Sequence, residues 1–143
     1  MTTMTSTNTR PCKALRPAQT PIYRAVERLL LWLVPVVERL PKSTPYQAMG
    51  ARLINDVQSS LDCIVCAAQT SDATARSESL AELTLRMTAV KTAMRVMSQL
   101  RIGGSGAFAV SARQMSQFLS LVVPVATQCA SWRRAAAASA NHV

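Results

Sequence analysis

Glycine constrains this chain more than any other residue. Only four are present, and Gly103, Gly104 and Gly106 stand together, leaving Gly50 alone elsewhere. A sheet protein needs turn residues at short intervals, and the long glycine-free stretches lack them. They predict an all-α chain. Hydrophobic residues reach 49%, too many for a disordered sequence, while aromatics are only 4%. The core must therefore come from Leu, Val, Met and Ala. A length of 143 residues suits one domain that can bury such a core without disulfides.

Apolar spacing divides the chain into four helices. The first begins at Thr20-Pro21, a cap followed by proline at the first position. At 100° per residue, Ile22, Val26, Leu29, Leu30, Leu33, Val37 and Leu40 share a face opposite Arg24, Glu27, Arg28, Glu38 and Arg39. Leu31 interrupts that charged face, with Trp32 and Val34 on its flanks. Pro35 falls on the outer side, and Pro41 ends the helix. A second helix is expected from Tyr46 to Gln69, with Tyr46, Gly50, Leu53, Val57, Leu61, Ile64 and Ala68 inward. The third runs from Ala73 or Ser77 to Arg101. A narrow polar strip of Thr84, Thr88, Lys91, Arg95 and Gln99 marks it, and apolar residues cover roughly 200° of the remainder. Gly103 to Gly106 read as a flexible turn, without the strand or the Gly-Lys-Ser/Thr sequence of a phosphate loop. A fourth helix follows to Arg134, with Ser111, Met115, Phe118, Val122, Val125 and Cys129 inward. Short links between four amphipathic helices predict an antiparallel up-down-up-down bundle over residues 21–134. Residues 1–20, polar and basic, are expected to be a disordered arm, and the Ala-rich residues 135–143 a frayed tail.

Sixteen Lys and Arg against seven Asp and Glu leave a net charge of +9. Eleven of the cations lie between Arg24 and Arg113, so the bundle is basic without its arm. Such a field favours polyanions, nucleic acid before acidic membranes. Lys91 and Arg95 are the leading candidates for contact, because their strip carries no acid. Arg52 on the second helix and Arg24, Arg28 and Arg39 on the first are further candidates. A solvated face kept basic for solubility is the plain alternative.

Catalysis is not expected. The one histidine is His142 at the end of the chain, the carboxylates read as helix charges, and no helix carries a Glu-x-x-His pair. Cys63 and Cys66 form a C-x-x-C with neither the remaining ligands of a zinc site nor the strand that precedes a thioredoxin-type motif. They read as packing thiols, with no metal or cofactor. The run from Leu29 to Val34 is too short to span a membrane, and no apolar leader precedes Ile22. The expectation is a soluble, cytoplasmic protein. The surplus apolar surface of the first and third helices predicts a homo-oligomer, with Leu31, Trp32 and the (i, i+4) pair Glu82 and Arg86 at its interface. For that charged pair, an ordinary place at the bundle edge is an equal alternative.

With the helices placed, the residues from Leu29 to Ser43 (LLLWLVPVVERLPKS) resemble the opening helix of the accessory variability determinants of diversity-generating retroelements. Tyr46, Gly50 and Arg52 match the start of that family's second helix. The run from Val90 to Val96 looks like its third-helix motif, and Trp132 sits where it closes the fourth. The resemblance covers residues 22–134. It implies a homopentameric barrel of bundles that does no chemistry and binds the retroelement reverse transcriptase and template RNA or cDNA during mutagenic retrohoming. Intervening-sequence proteins of large-subunit ribosomal RNA share the four-helix fold, and an orphan oligomeric scaffold is a third reading. Phosphate contacts would carry affinity without reading sequence, and few aromatics remain for stacking on bases.

Overall fold

The computed structural model describes residues 11–141, which are helical apart from their links and two isolated β-bridges. Helix α1 is Pro21–Glu38, α2 is Thr44–Gln69, α3 is Ala73–Met97 and α4 is Ala112–Asn141. Three of the starts rest on local hydrogen bonds. The Thr20 hydroxyl accepts the Tyr23 N–H at 3.3 Å, ahead of Pro21. The Asp72 carboxylate accepts the Thr74 N–H at 3.0 Å. Ser111 and Gln114 form a reciprocal capping box, at 3.1 Å into the serine hydroxyl and 2.9 Å into the glutamine carbonyl. Ser111 is thus an exposed cap rather than the inward residue its spacing suggested.

Helices α1 and α3 each pack against both α2 and α4, which closes a ring with α1 and α3 on the diagonal. The fold is a four-helix bundle. Buried positions alternate by four and three in every helix, the spacing of interlocking helix seams. In and just after α1 they are Ile22, Val26, Leu29, Leu33, Val36 and Leu40; in α4 they include Phe118, Val122, Val125 and Cys129. In α2 and α3 the seam holds Leu53, Val57, Ile64, Leu80, Leu83, Met87, Val90 and Met94, together with two polar residues, Ser60 and Arg76. Leu30, Val37, Tyr46, Leu61 and Met115 lie half-buried on the flanks of the predicted faces.

The one glycine within a helix is there for space. A Cβ on Gly50 would meet Val37 Cγ1 at 2.6 Å and Leu40 Cδ1 at 3.3 Å. Val37 is β-branched and stiff, so α1 and α2 approach this closely only over a bare backbone.

Three boundaries differ from the sequence-based expectation. Helix α3 ends at Met97, not Arg101, because the following residues bond across a loop instead. Val110 N–H donates to Met97 O at 3.1 Å, Ala109 to Leu100 at 2.7 Å and Ile102 to Ala107 at 2.7 Å. The glycine segment is therefore a bonded hairpin rather than a loose turn, with Gly104 and Gly106 at φ of 83° and 74°. Arg101 lies 5.0 Å from the centre of the Phe108 ring beside it.

Helix α4 continues past Arg134 to Asn141, since alanine is the strongest helix former and Ala136 is buried. The expected disordered arm is in fact tied down from residue 11. Cys12 N–H donates to Ser71 O and Leu15 N–H to Ala68 O, both at 2.7 Å, before a 3-10 turn at Pro17–Gln19. Backbone pairing to the α2–α3 corner does this, which composition does not report. Residues 1–10, with Arg10, and His142 lie outside the described residues.

Candidate nucleic-acid interface

Charge is divided unevenly along the chain, and the fold turns that division into a side. All seven carboxylates lie between Glu27 and Glu82, whereas residues 83–143 carry seven Lys and Arg and no acid. Helix α4 therefore has no carboxylate, and the basic residues of its neighbours are seen against a helix that cannot neutralise them.

On the α3 side of α4, Thr84 sets the geometry. Its hydroxyl is 3.5 Å from Cys129 Sγ and accepts from Arg133 Nη1 at 3.2 Å. Thr88, Lys91 and Arg95 follow Thr84 at helical spacing, so the predicted polar strip runs along the α3–α4 seam. Lys91 and Arg95 are exposed there and make no ion pair among the described residues. Arg133, not among the predicted contact residues, joins them through its bond to Thr84.

On the α1 side, the indole N–H of Trp32 donates to Gln117 Oε1 at 3.2 Å, and its ring lies 6.2 Å from that of Phe118. Arg28 and Arg39 lie at four- and seven-residue steps from Trp32, which places them beside the α1–α4 seam, whereas Arg24 lies seven residues before Leu31 on the outer face of α1. All three are exposed without an ion pair among the described residues. Thus four of the six predicted contact residues flank α4, two on each seam.

Arg52 does not join them. It is exposed and lies 3.9 Å from Asp56, whose buried carboxylate also accepts from Arg86 at 3.2 Å. Arg86 is bonded at 2.9 Å to Glu82 as well, so these four charges form a network between α2 and α3, on the flank of α3 away from Lys91. The hydrogen bond that Arg86 donates to Asp56, foremost, raises its pKa above the ordinary value; desolvation opposes this, and the bond to Glu82 adds to it. The guanidinium expected at a subunit boundary is engaged within its own chain. Likewise Trp32 donates its N–H to α4 and sets its half-buried ring 6.2 Å from that of Phe118, while Leu31 stays 68% exposed on the outer face of α1.

Arg76 escaped the sequence reading altogether. Its side chain donates to Ala67 O and Lys13 O at 2.7 Å, to Thr70 O at 3.2 Å and to Ala68 O at 3.3 Å, and it lies 5.4 Å from the centre of the Trp132 indole ring. It satisfies the free carbonyls at the end of α2 and pins the arm and α4 to that corner. One signal was legible: Arg76 occupies the four-three register that Leu80, Leu83 and Met87 continue.

All four thiols are free, and no cluster of three metal-ligating side chains exists among the described residues. Cys63 is half-buried, and burial first, then the charge of Glu82, push its pKa up, so it stays protonated at neutral pH. Cys66 is exposed. In the folded protein at pH 7.5, roughly, iodoacetamide should label Cys66 about ten times faster than Cys63 or more, because only the thiolate reacts. Peptide mass mapping after short exposure would check the order, and equal labelling of the two would contradict it.

No described helix is long and apolar enough to cross a membrane. No family model, curated protein or solved structure matches the chain.

Proposed function

We propose that this protein is a non-catalytic accessory that binds nucleic acid along α4, in the manner its resemblance to the retroelement accessory proteins implies. The observation that carries the reading is the acid-free helix α4 with cations along both of its seams that make no ion pair among the described residues: Lys91 and Arg95 on one, Arg28 and Arg39 on the other. Such an array meets phosphates at many points and reads no base edges. Template RNA or cDNA would be held near a reverse transcriptase, which does the chemistry.

Further support comes from the residues that bear the resemblance, which have distinct structural roles. Gly50 permits the close approach of α1 and α2, the Tyr46 hydroxyl donates to Arg101 O at 3.4 Å, and Trp132 stacks under Arg76. Binding to a mixed-sequence RNA should be nearly independent of sequence and fall steeply with salt, each neutralised phosphate adding a slope of roughly 0.7 to 0.9. Fluorescence anisotropy from about 0.05 to 0.2 M salt reads this. A flat profile, or no binding at low salt, would leave a basic scaffold with no nucleic-acid role.

The same reading includes a homo-oligomer, the pentamer of the resemblance. Leu31 and Leu85 are 68% and 66% exposed, on outer faces of the diagonal helices α1 and α3. Removing such side chains from water favours self-association. Light scattering at micromolar concentration should give a multiple of 15.5 kDa. A mass of one chain would overturn the assembly.

A further inference from the structure

We propose that the groove between α1 and the start of α4 is a nucleotide site, taking one unstacked base over Trp32 and its phosphate between Arg39 and Arg113. The groove has a volume of about 570 Å³ and is lined by both arginines, Trp32, Pro35, Gln114 and Gln117 among others, with no carboxylate. That volume lies within the range of small-ligand sites. Arg39 arrives from the end of α1 and Arg113 from the first turn of α4, so the two guanidinium groups come from different helices to one opening.

Neither makes an ion pair among the described residues. Guanidinium groups bind phosphate through paired N–H donors, and two around one groove set the charge for a phosphate monoester or diester. The indole supplies the other half of the recognition. Its N–H is already committed to Gln117 Oε1 at 3.2 Å, so what Trp32 offers the groove is ring carbon. Nucleobases stack on such surface without regard to sequence. Gln114 is held in the capping box by the Ser111 N–H at 2.9 Å, which keeps the first turn of α4 in place. The α4 N-terminus adds its partial positive charge to that of the arginines.

This inference rests on the nucleic-acid reading, and the two fail separately. Phosphates of a duplex can reach the basic seams, but its bases are paired and cannot enter the groove. The measurement is Trp32 fluorescence in the Trp132→Phe variant, titrated with a single-stranded RNA decamer, the matching duplex, AMP and inorganic phosphate. The single strand should quench Trp32 and the duplex should bind by anisotropy without quenching. The Arg39→Gln/Arg113→Gln variant should need about ten times more single strand for half-quenching while keeping its helicity.

Quenching by AMP with the same arginine dependence identifies free nucleotide as an occupant. Quenching by the strand alone identifies a nucleotide within nucleic acid. Either outcome supports the site. Binding of strand and duplex with no quenching overturns the groove and leaves the proposed function standing. Quenching that survives loss of both arginines, or an equal response to inorganic phosphate, overturns the nucleotide assignment. Failure of every probe to bind removes both readings.

Discussion

Charge reversal at Lys91 and Arg95 should weaken RNA binding by roughly 25- to 60-fold at 0.1 M salt. The figure follows from counterion release: losing two phosphate contacts removes about 1.4 to 1.8 from the salt slope, and that power of ten at 0.1 M. Repulsion from the introduced glutamates adds to the loss, so Lys91→Gln/Arg95→Gln should fall short of Lys91→Glu/Arg95→Glu. Both residues are exposed on the α3–α4 seam and bond to no carboxylate among the described residues, so removal breaks no ion pair there. The helical signal and oligomer mass should match those of the parent protein. Anisotropy across a salt series measures affinity and slope together. An assembled reversal variant with parental affinity and slope would place the contact on the first helix, at Arg24, Arg28 and Arg39, or remove it.

Arg76→Met should cost as much stability as a large-to-small change in the core. Methionine keeps most of the stem, so the change isolates the guanidinium. Four carbonyl oxygens, of Lys13, Ala67, Ala68 and Thr70, lose a charged donor in a corner where Arg76 itself is only 7% exposed. Hydrogen bonds to charged groups contribute about 1.5–3 kcal/mol each and do not add fully, so a loss of about 3–5 kcal/mol is expected. For a domain of this size that lowers Tm by roughly 10–20 °C. Arg76→Lys should recover only part of it, because an ammonium on a shorter reach cannot fork between carbonyls. Thermal melts followed by circular dichroism would decide. A Tm within about 3 °C of the parent would mean that water replaces the guanidinium at little cost.

Arg76 also shows where periodicity stops being informative. The spacing that identified Leu80, Leu83 and Met87 as core includes Arg76 one turn earlier, yet a charged residue on an apolar register is normally read as a boundary. What justifies its burial is a set of backbone carbonyls from α2 and the arm, brought together only when the bundle closes. The arm was misread for the same reason. Its prolines and cations look solvated, and the order of residues 11–20 comes from two backbone hydrogen bonds and the Arg76–Lys13 contact. Backbone groups are the same at every residue and leave no trace in composition.

The sequence by itself determined that the chain is four helices, because a helix face is decided by neighbours three and four residues apart. It likewise placed the cap at Thr20 and the polar strip from Thr84 to Arg95. Which strip meets which helix was decided by tertiary structure alone. Arg52 already has Asp56 four residues on, but only the fold brings Arg86 to the same carboxylate and sets Lys91 beside acid-free α4. Trp32 looked like surplus apolar surface until α4 supplied Gln117 and Phe118. Electrostatic and packing energies depend on distance through space, and contacts dozens of residues apart in the chain are set only by the closing of the ring of helices.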